Sequence, residues 1–299
     1  MHERKIKTYP AYYQNAPAHL YKKLTEFREE YKIKQFEFRG KIVEYIATEK
    51  RDKTLLMFHG ALGSADTPYS EILRLKGRFQ IITPTIRDFG SLDDISDAVN
   101  EILHREQVER VLIRGGSFGA FIAQSYFRRN YEKIDRLVLI NGIPPKGEYT
   151  KKDKRDVRLF RLMFKIIPEK LAKKIMLKEL SKYGEQSHSL SEEQQKELDF
   201  LMMQLNERLA KVKKSHIVES MMLVVEFDLN ETMKPDDFSD WNGKILLITD
   251  TEDTSFKYFN RLKAQFPDPK VKIFENSGHI LQIIYKSEFE RIHDEFLIE

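Results

Sequence analysis

The stretch RVLIRGGSFGAFIAQSYF, residues 110–127, changes its pattern in the middle. It begins with a run of Val, Leu and Ile, which is typical of a buried strand, and it ends with apolar residues at helical spacing. Between the two lies the pentapeptide GGSFG, residues 115–119, which matches the pattern G-x-S-x-G. In that pattern the serine occupies a sharp strand-to-helix turn, where small neighbours permit strained dihedral angles. The stretch therefore predicts a hydroxyl above a sheet, close to the N-terminal amides of a helix.

The same alternation of strand and helix extends along most of the chain. Short apolar runs predict eight strands, at residues 34–39, 41–47, 54–59, 80–85, 110–115, 136–141, 244–249 and 270–275. Helical spacing of apolar residues predicts helices at 92–106, 118–130, 255–266 and 281–297, and a solvated helix at 19–32. The first two strands, joined at Gly40, are predicted to form a hairpin. The pattern predicts an α/β fold, with a mainly parallel eight-stranded sheet flanked by helices.

A helical insertion interrupts this rhythm after the sixth strand. Residues 147–240 carry apolar residues at helical spacing, and Pro168 divides one helix from the next. The insertion separates an N-terminal part of the core, residues 1–146, from a C-terminal part, residues 241–299. Both parts contribute strands to one sheet.

Composition narrows the classes of protein to consider. The chain has 299 residues, 41% of them hydrophobic, which is enough for a substantial core. It contains no Cys, so disulfides, cysteine nucleophiles and cysteine metal sites are excluded. Lys and Arg number 51 against 47 Asp and Glu, and this small excess does not favour nucleic acid as a partner. No signal peptide and no run of eighteen apolar residues is found, so a cytoplasmic protein is expected.

The serine of the pentapeptide, Ser117, needs partners to become a nucleophile. A base must accept its proton, and a third group must orient that base. His279, in ENSGHIL after the last strand, is the candidate base. The segment KILLITDTEDTSF, which contains the preceding strand, supplies Asp250, Glu252 and Asp253 as candidate acids. Asp253 is favoured because the turn after the strand can swing back towards the histidine, while the other two acids stay open.

Backbone amides near the serine are candidates to stabilise negative charge on a carbonyl oxygen. The first is the amide of Phe118, which directly follows the serine. The second is expected from the loop HGALGS after the third strand, where the amide of Ala61 is favoured and that of Leu62 is next. Gly60 suits a loop whose backbone approaches a substrate. His59 is expected to shape this loop through hydrogen bonds rather than to act as a base.

These motifs together resemble the α/β-hydrolase superfamily. The resemblance covers nearly the whole chain, from LLMFHGALGS through LIRGGSFGAFIAQSY and RLVLINGIPP to LLITDTEDTSF and NSGHI. The order serine, acid, histidine is that of the family. The resemblance implies that Ser117 is the nucleophile, Asp253 the acid and His279 the base, with no cofactor and no metal. It also implies that the insertion forms a cap over the nucleophile.

Two positions depart from the family pattern. Family members commonly carry His or a similar residue where this chain has Gly116, and often Gly where it has Asp250. A weaker likeness, in TPTIRDFGSLDDISDAV and LFRLMFKIIPEKLAKKIML, is to the maspardin group of the superfamily. It keeps open a non-catalytic binding or adaptor role.

The expected activity is that of a carboxylesterase-like serine hydrolase. It would cleave an ester or related acyl bond of a small apolar substrate through an acyl-enzyme. Carbon–carbon cleavage and acyl transfer by the same three residues are the alternatives. Gly60, Phe160, Phe164 and Met221 are candidate substrate contacts. Met and Phe at helical spacing are equally expected to pack helix against helix.

The beginning of the insertion carries unusual charge. Residues 151–174 contain ten Lys or Arg against three acids, a net charge of +7 in 24 residues. A solvated helix face is the favoured interpretation. The alternative is a basic amphipathic surface that docks on anionic lipid or attracts acidic acyl substrates. Aromatic stacking positions do not interleave with this basic run in an obvious platform, so nucleic acid is not expected as a partner.

Overall fold

The computed structural model describes residues 10–146, 149–185 and 190–299. Within these ranges eight strands form a single sheet. The strands are β1 (Lys34–Phe38), β2 (Lys41–Ala47), β3 (Thr54–Phe58), β4 (Gln80–Pro84), β5 (Val111–Gly116), β6 (Ile134–Ile140), β7 (Lys244–Asp250) and β8 (Lys270–Phe274). Every predicted strand is present, with its ends within two residues of the predicted positions.

Helices cover the sheet and fill the insertion. They are α1 (Ala18–Glu30), α2 (Tyr69–Leu75), α3 (Leu92–Arg105), α4 (Phe118–Asn130), α5 (Lys151–Ile166), α6 (Glu169–Glu185), α7 (Glu192–Lys211), α8 (Lys214–Asn230), α9 (Phe259–Lys263), α10 (Leu281–Ile284) and α11 (Lys286–Ile298). The sequence did not predict α2, which is only seven residues long. No helix in the described ranges is long and apolar enough to cross a lipid bilayer.

The strands follow the order β1-β2-β4-β3-β5-β6-β7-β8, and β3 to β8 run parallel. Strands β1 and β2 form the predicted hairpin, and β2 joins the sheet antiparallel to β4. The two residues that connect them, Arg39 and Gly40, have φ angles of 49° and 73°. Tight two-residue hairpin turns require such positive φ angles, which glycine adopts at no steric cost. The mainly parallel sheet is thus confirmed.

Two layers of helices bury the two faces of the sheet. Helices α3 and α4 cover one face, and α3 buries Ile95, Val99 and Ile102 as their spacing predicts. Helices α1, α2 and α11 cover the other face. The carboxyl ends of β3, β5, β7 and β8 lie at the same edge, because parallel strands all point in one direction. Ligands of open α/β sheets bind at this edge.

Helix α1 is less solvated than predicted. Leu24 and Phe27 on its inner side are fully buried. Arg28 is held by ion pairs to Asp66 at 2.8 Å and to Glu207 at 2.9 Å. Helix α1 carries many charged residues, but its apolar residues lie on one narrow face. Such a face is sufficient for a helix to pack on a core.

The two helices predicted near the C-terminus are shorter and broken. The predicted helix at 255–266 consists of a 3₁₀ turn, Phe256–Tyr258, followed by α9. The predicted helix at 281–297 is divided between α10 and α11 at Tyr285. The Tyr285 ring stacks on Phe274, and its hydroxyl donates to the Glu275 carbonyl at 2.7 Å. These contacts hold the ring against β8 at the residue where the helix is interrupted.

The insertion is helical, as predicted, and we call α5 to α8 the cap. No strand lies among the described residues between β6 and β7. Pro168 separates α5 from α6, where its ring prevents a continuous helix. The last part of the insertion enters the main core, since Leu223, Phe227 and Phe238 pack in the same cluster as Phe127. The cap is therefore anchored on α4 through α8.

Candidate active site

Ser117 lies at a sharp turn between β5 and α4. Its φ and ψ angles are 55° and −123°. A positive φ is uncommon for a residue other than glycine, and it persists only where the surrounding structure imposes it. The Ser117 amide donates to the Ile140 carbonyl at 2.9 Å, and the Ser117 carbonyl accepts from the Ala120 amide at 2.9 Å. The strand, turn and helix predicted around the serine are all present.

Two glycines let the backbone pass through this turn. A Cβ atom on Gly115 would lie 2.3 Å from the Gly119 carbonyl oxygen, and one on Gly119 would lie 2.3 Å from the Phe58 carbonyl oxygen. Both distances are far below van der Waals contact, so α4 packs on β3 and β5 only because these side chains are absent. Gly116 differs, because the nearest atoms to its Cβ position are 3.7 Å away. A larger residue therefore fits at position 116, where the family commonly has one.

We expect Gly119→Ala to lower the free energy of unfolding by about 3 kcal/mol, since overpacking displaces backbone here. Gly116→Ala is expected to change it by less than about 1 kcal/mol, because its Cβ meets only ordinary contacts. Urea denaturation of both variants measures the difference. Gly77→Ala is the control, since nothing lies within 4 Å of its Cβ position. Equal destabilisation at positions 116 and 119 would contradict this account of the turn.

His59 shapes the loop after β3. Its Nε2 accepts a hydrogen bond from the Ile86 amide at 2.9 Å, and its Nδ1 lies 2.8 Å from the Gly60 carbonyl oxygen. Since Nε2 accepts, the proton is assigned to Nδ1, which donates. Burial lowers the pKa of His59 to about 4, so the ring is neutral near pH 7. Both ring nitrogens are occupied, as expected for a structural histidine.

The loop after β3 approaches the turn that carries the serine. The Cβ position of Gly60 lies 4.0 Å from the Gly116 carbonyl oxygen. Ala61 follows, and Leu62 has a φ angle of 58°, which bends the loop. Phe118 is the first residue of α4, so its amide has no acceptor within the helix. The structure thus brings the two loops with the predicted amide donors next to each other.

Asp253 and His279 form a buried pair. The His279 Nδ1 donates to the Asp253 Oδ2 at 2.6 Å, and the Asp253 Oδ1 accepts from the Ser255 amide at 2.7 Å. Burial opposes ionisation of Asp253, but the hydrogen bonds from His279 and Ser255 outweigh it and lower the pKa of Asp253 below its usual value. An ionised carboxylate therefore orients the imidazole, with Nε2 as the other ring nitrogen.

Asp250 has a different role. Its Oδ1 accepts from the amides of Glu252 and Gly278, at 2.8 and 2.9 Å. Its Oδ2 accepts from the Ser277 amide at 2.9 Å and from the Ser277 hydroxyl. Four donors occupy this fully buried carboxylate, so it holds the turn before His279 in place. The Glu252 side chain is exposed. Of the three candidate acids, the favoured one, Asp253, is hydrogen-bonded to the histidine.

A polar contact links the histidine turn to β5. The Arg114 Nη2 donates to the Gln282 Oε1 at 3.3 Å. Arg114 lies three residues before Ser117, and Gln282 lies three residues after His279. Helix α6 of the cap packs against the 3₁₀ turn Gly278–Ile280. Sequence reasoning missed this link, although an arginine within the apolar run RVLIRG was its visible sign.

Three of the four candidate substrate contacts lie in one apolar cluster of the cap, and the fourth, Gly60, lies in the loop after β3. The rings of Phe160 and Phe164 pack against each other with centroids 4.3 Å apart and planes tilted by 36°. Both belong to a cluster with Met221 and with Leu62 of the loop after β3. Phe164 is buried, whereas Phe160 and Met221 are half-buried. The cap therefore packs directly over the loop that is predicted to hold an oxyanion.

The polar groups at this edge bond mainly to each other. No group of three or more His, Asp or Glu side chains in the described ranges is arranged to hold a metal ion. What the edge offers is a hydroxyl on a strained turn, an imidazole oriented by a carboxylate, and two nearby loops with backbone amides. Such groups are suited to proton transfer and nucleophilic attack.

Comparisons with solved structures show the same fold in proteins with different reactions. A carboxylesterase structure from Nitrososphaera gargenis has 19% sequence identity and a TM-score of 0.63, covering 89% of this chain and 98% of that chain. A meta-cleavage product hydrolase from Pseudomonas fluorescens IP01 has 19% identity and a TM-score of 0.64, covering 88% and 97%. A bromoperoxidase from Bacillus anthracis has 15% identity and a TM-score of 0.66, covering 89% and 100%.

The family of the chain follows from its sequence. A comparison with curated protein sequences finds no significant match. A family model described as the alpha/beta hydrolase fold matches residues 53–284, which is more than three quarters of the chain. That range includes the turn at Ser117, the three candidate acids and His279. The chain therefore belongs to the α/β-hydrolase fold family.

Proposed function

We propose that the protein is a serine hydrolase that cleaves an ester or related acyl bond. One observation carries the proposal: a strained serine turn occupies the same sheet edge as an imidazole held 2.6 Å from a buried carboxylate. A serine hydroxyl is a weak nucleophile at its free pKa, and an oriented base corrects that weakness. The backbone strain at Ser117 costs about 1–3 kcal/mol, and such strain clusters at functional sites.

In the first half of the reaction, Ser117 becomes acylated. The His279 Nε2 takes the hydroxyl proton while Oγ attacks the carbonyl carbon, and the carbonyl π electrons move to oxygen. The amides of Phe118 and Ala61 donate to that oxyanion. When the tetrahedral intermediate collapses, the bond to the leaving oxygen breaks and the imidazolium protonates the leaving group. Asp253 stays ionised and stabilises the imidazolium.

In the second half, water releases the acyl group. His279 takes a proton from water as the water oxygen attacks the acyl carbon, and the same two amides hold the second oxyanion. Collapse then breaks the bond to Ser117 Oγ, which regains the proton from the imidazolium. The products are a carboxylic acid and the free enzyme, so the cycle needs no external oxidant or reductant.

The acyl group of the substrate is proposed to be apolar. Phe160 and Met221 are half-buried. Together with Leu62 of the loop after β3, which we call the oxyanion loop, they pack against the buried cluster that contains Phe164. Gly60 allows the loop backbone to approach the substrate. An apolar pocket with a few convergent polar groups is typical of small-molecule sites. A panel of p-nitrophenyl esters of increasing acyl length measures the length that this cluster accepts.

Labelling with a fluorophosphonate tests the proposal. The parent chain is expected to gain the mass of one adduct, because the reagent reacts with an activated serine. Ser117→Ala is expected to gain none, as read by intact mass. Ser287→Ala is the matched control, since Ser287 is exposed on α11, and it should label like the parent.

Three outcomes of the labelling experiment would change the proposed function. An adduct on Ser117→Ala would place the nucleophile elsewhere. A folded parent that gains no adduct and cleaves no ester would favour the non-catalytic adaptor alternative. Labelling at Ser117 without cleavage of any ester in the panel would instead favour carbon–carbon cleavage or acyl transfer by the same residues.

A further inference from the structure

The outer face of α5 carries apolar side chains that nothing in the described chain covers. Leu159, Leu162, Met163 and Ile166 are 55%, 54%, 48% and 74% exposed. Their spacing of three and four residues places them on one side of the helix. The opposite side holds Phe160 and Phe164 in the cap cluster, so α5 is apolar on two separate faces.

Helix α6, which follows α5 in the chain, also carries exposed apolar residues. Leu171 and Ile175, four residues apart on one face, are 45% and 37% exposed. We call these two residues and the four on α5 the apolar stripe. They make up six of the thirteen large apolar side chains that are strongly exposed among the described residues. Isolated exposed apolar residues are ordinary, but a concentration within two consecutive helices indicates an interaction surface.

Basic residues flank the apolar stripe. The exposed ones on α5 and on residues 169–178 of α6, which we call the basic flank, are Lys151, Lys152, Lys154, Arg155, Arg158, Arg161, Lys170, Lys174 and Lys178. The acids of the segment are already engaged: Asp153 pairs with Lys146 at 2.7 Å, Glu169 with Lys173 at 2.9 Å, and Asp156 with an arginine of its own helix. The surface around the stripe is therefore strongly positive.

We propose that the apolar stripe and the basic flank dock on the surface of an anionic lipid bilayer. Exposure of an apolar stripe to water is unfavourable, so a purely solvated helix face does not explain the stripe. An apolar groove on a partner protein would not be complementary to the nine cations that flank it. Together they match the boundary between anionic headgroups and acyl chains, where apolar side chains insert and cations meet phosphate or carboxylate groups. The long Lys and Arg stems extend to the headgroups while their helices lie in the plane of the interface.

Docking in this way places the bilayer one helix away from the candidate active site. The outer side of α5 contacts lipid, and its inner side packs Phe160 and Phe164 against Leu62 of the oxyanion loop. The proposal goes beyond the proposed function, because adsorption to lipid does not involve Ser117 or His279. Vesicle binding by the full chain carrying Ser117→Ala is therefore expected to equal that of the parent.

Vesicle flotation with the full chain tests the proposal. We expect binding to phosphatidylcholine vesicles that contain about 30% phosphatidylserine, and little binding to pure phosphatidylcholine. Raising the salt from about 50 mM to about 500 mM is expected to release most of the protein, because counterions screen the attraction. A parent chain that does not bind anionic vesicles at low salt overturns the proposal.

A charge-reversal variant identifies the surface. Lys151→Glu, Lys152→Glu and Arg158→Glu replace three cations of α5, and the first two lie in its first turn, where acidic residues suit the helix dipole. Each basic residue near an anionic surface contributes about fivefold to binding, so the triple variant is expected to bind about a hundredfold more weakly. The control has the same change in net charge at three exposed residues before β3, at the opposite edge of the sheet: Lys50→Glu, Arg51→Glu and Lys53→Glu. Equal weakening in both variants contradicts a specific docking surface.

Variants of the apolar stripe separate insertion from simple electrostatic attraction. Leu162→Ser with Ile166→Ser is expected to weaken binding to anionic vesicles by about tenfold or more. Ile42→Ser with Ile298→Ser removes equally exposed apolar side chains elsewhere and is expected to bind like the parent. Circular dichroism verifies that each variant is folded. A parent that sediments as a dimer, with the Leu162/Ile166 variant monomeric, would show that a second copy covers the stripe and would overturn the proposal.

Discussion

Alanine at Ser117, at His279 or at both positions is expected to lower kcat for ester hydrolysis by the same factor, about 10⁵ to 10⁶. The two residues act as one unit, since the base is useful only when the hydroxyl is present to lose its proton. Once either residue is missing, removal of the other costs little. The remaining rate comes from the oxyanion amides and from substrate binding, which neither substitution removes.

Steady-state kinetics with a p-nitrophenyl ester, on the two single variants and the double variant, measures this non-additivity. Ser287→Ala again serves as the control and should keep the parent rate. Losses that multiply in the double variant would mean that the two residues act independently, which contradicts a shared proton transfer. Neither side chain belongs to the buried apolar clusters, so the variants are expected to stay folded. Thermal denaturation of each variant checks that unfolding is not the cause of the lost activity.

Asp253→Asn is expected to lower kcat by about 10⁴ while the protein stays folded. The amide is close in shape to the carboxylate, but it carries no charge to stabilise the imidazolium, and its NH₂ group can favour the wrong tautomer of His279. The same ester assay measures this loss. A loss of less than about tenfold would remove Asp253 from the role of orienting acid.

Asp250→Asn is the matched comparison, because it makes the same chemical change three residues away. Asp250 accepts four hydrogen bonds from Glu252, Ser277 and Gly278, so one amide NH₂ group would face donors in a buried site. The expected effect is a loss of about 3 kcal/mol in the free energy of unfolding, with a smaller effect on kcat. Loss of kcat without loss of stability would make Asp250 the catalytic acid.

The pH dependence of stability tests whether Asp253 is ionised in the folded protein. The pKa of Asp253 is lowered in the folded state, so its ionised form adds stability above the ordinary aspartate pKa of about 4. That contribution is lost as the pH falls through the lowered value. The difference in unfolding free energy between the parent and Asp253→Asn is therefore expected to narrow below about pH 4. Urea denaturation at pH 7 and in acid measures it.

Family membership does not by itself choose the reaction. The carboxylesterase, the meta-cleavage product hydrolase and the bromoperoxidase superpose on this chain with TM-scores between 0.63 and 0.66, at 15% to 19% identity. Their similarity extends over the shared fold, which supports many chemistries. The choice of ester hydrolysis therefore depends on the serine, the histidine pair and the apolar cap cluster, each of which the variants above address separately.

The sheet and the serine turn could be predicted from local sequence. Buried parallel strands appear as apolar runs, and the close passage of α4 over β3 requires glycines at fixed positions. Gly115 and Gly119 therefore mark the turn within the sequence itself. The order of strand, serine, strand, acid, strand and histidine follows from the same one-dimensional pattern, which is why the three groups are expected at one edge.

The assignment of the acid and the faces of the helices depended on tertiary structure. Asp250 and Asp253 are three residues apart, and only the fold of the loop after β7 decides which carboxylate reaches His279 and which binds the Ser277 turn. Helix α1 looked solvated, yet it buries Leu24 against the sheet, because burial depends on which neighbours arrive from distant parts of the chain.

Helix α5 is the clearest example of a helix whose buried face cannot be predicted from its sequence. Its sequence is apolar at Phe160 and Phe164 and also at Leu162 and Ile166, so spacing alone does not say which side is covered. Packing of α5 on the other cap helices buries Phe164, half-buries Phe160 and leaves the second pair exposed beside the basic flank. Local sequence determined where the strands, the serine turn and most helices lie, because steric and periodic rules act over a few residues. Contacts between segments far apart in the chain decided which side chains meet across the loops and which apolar face remains exposed.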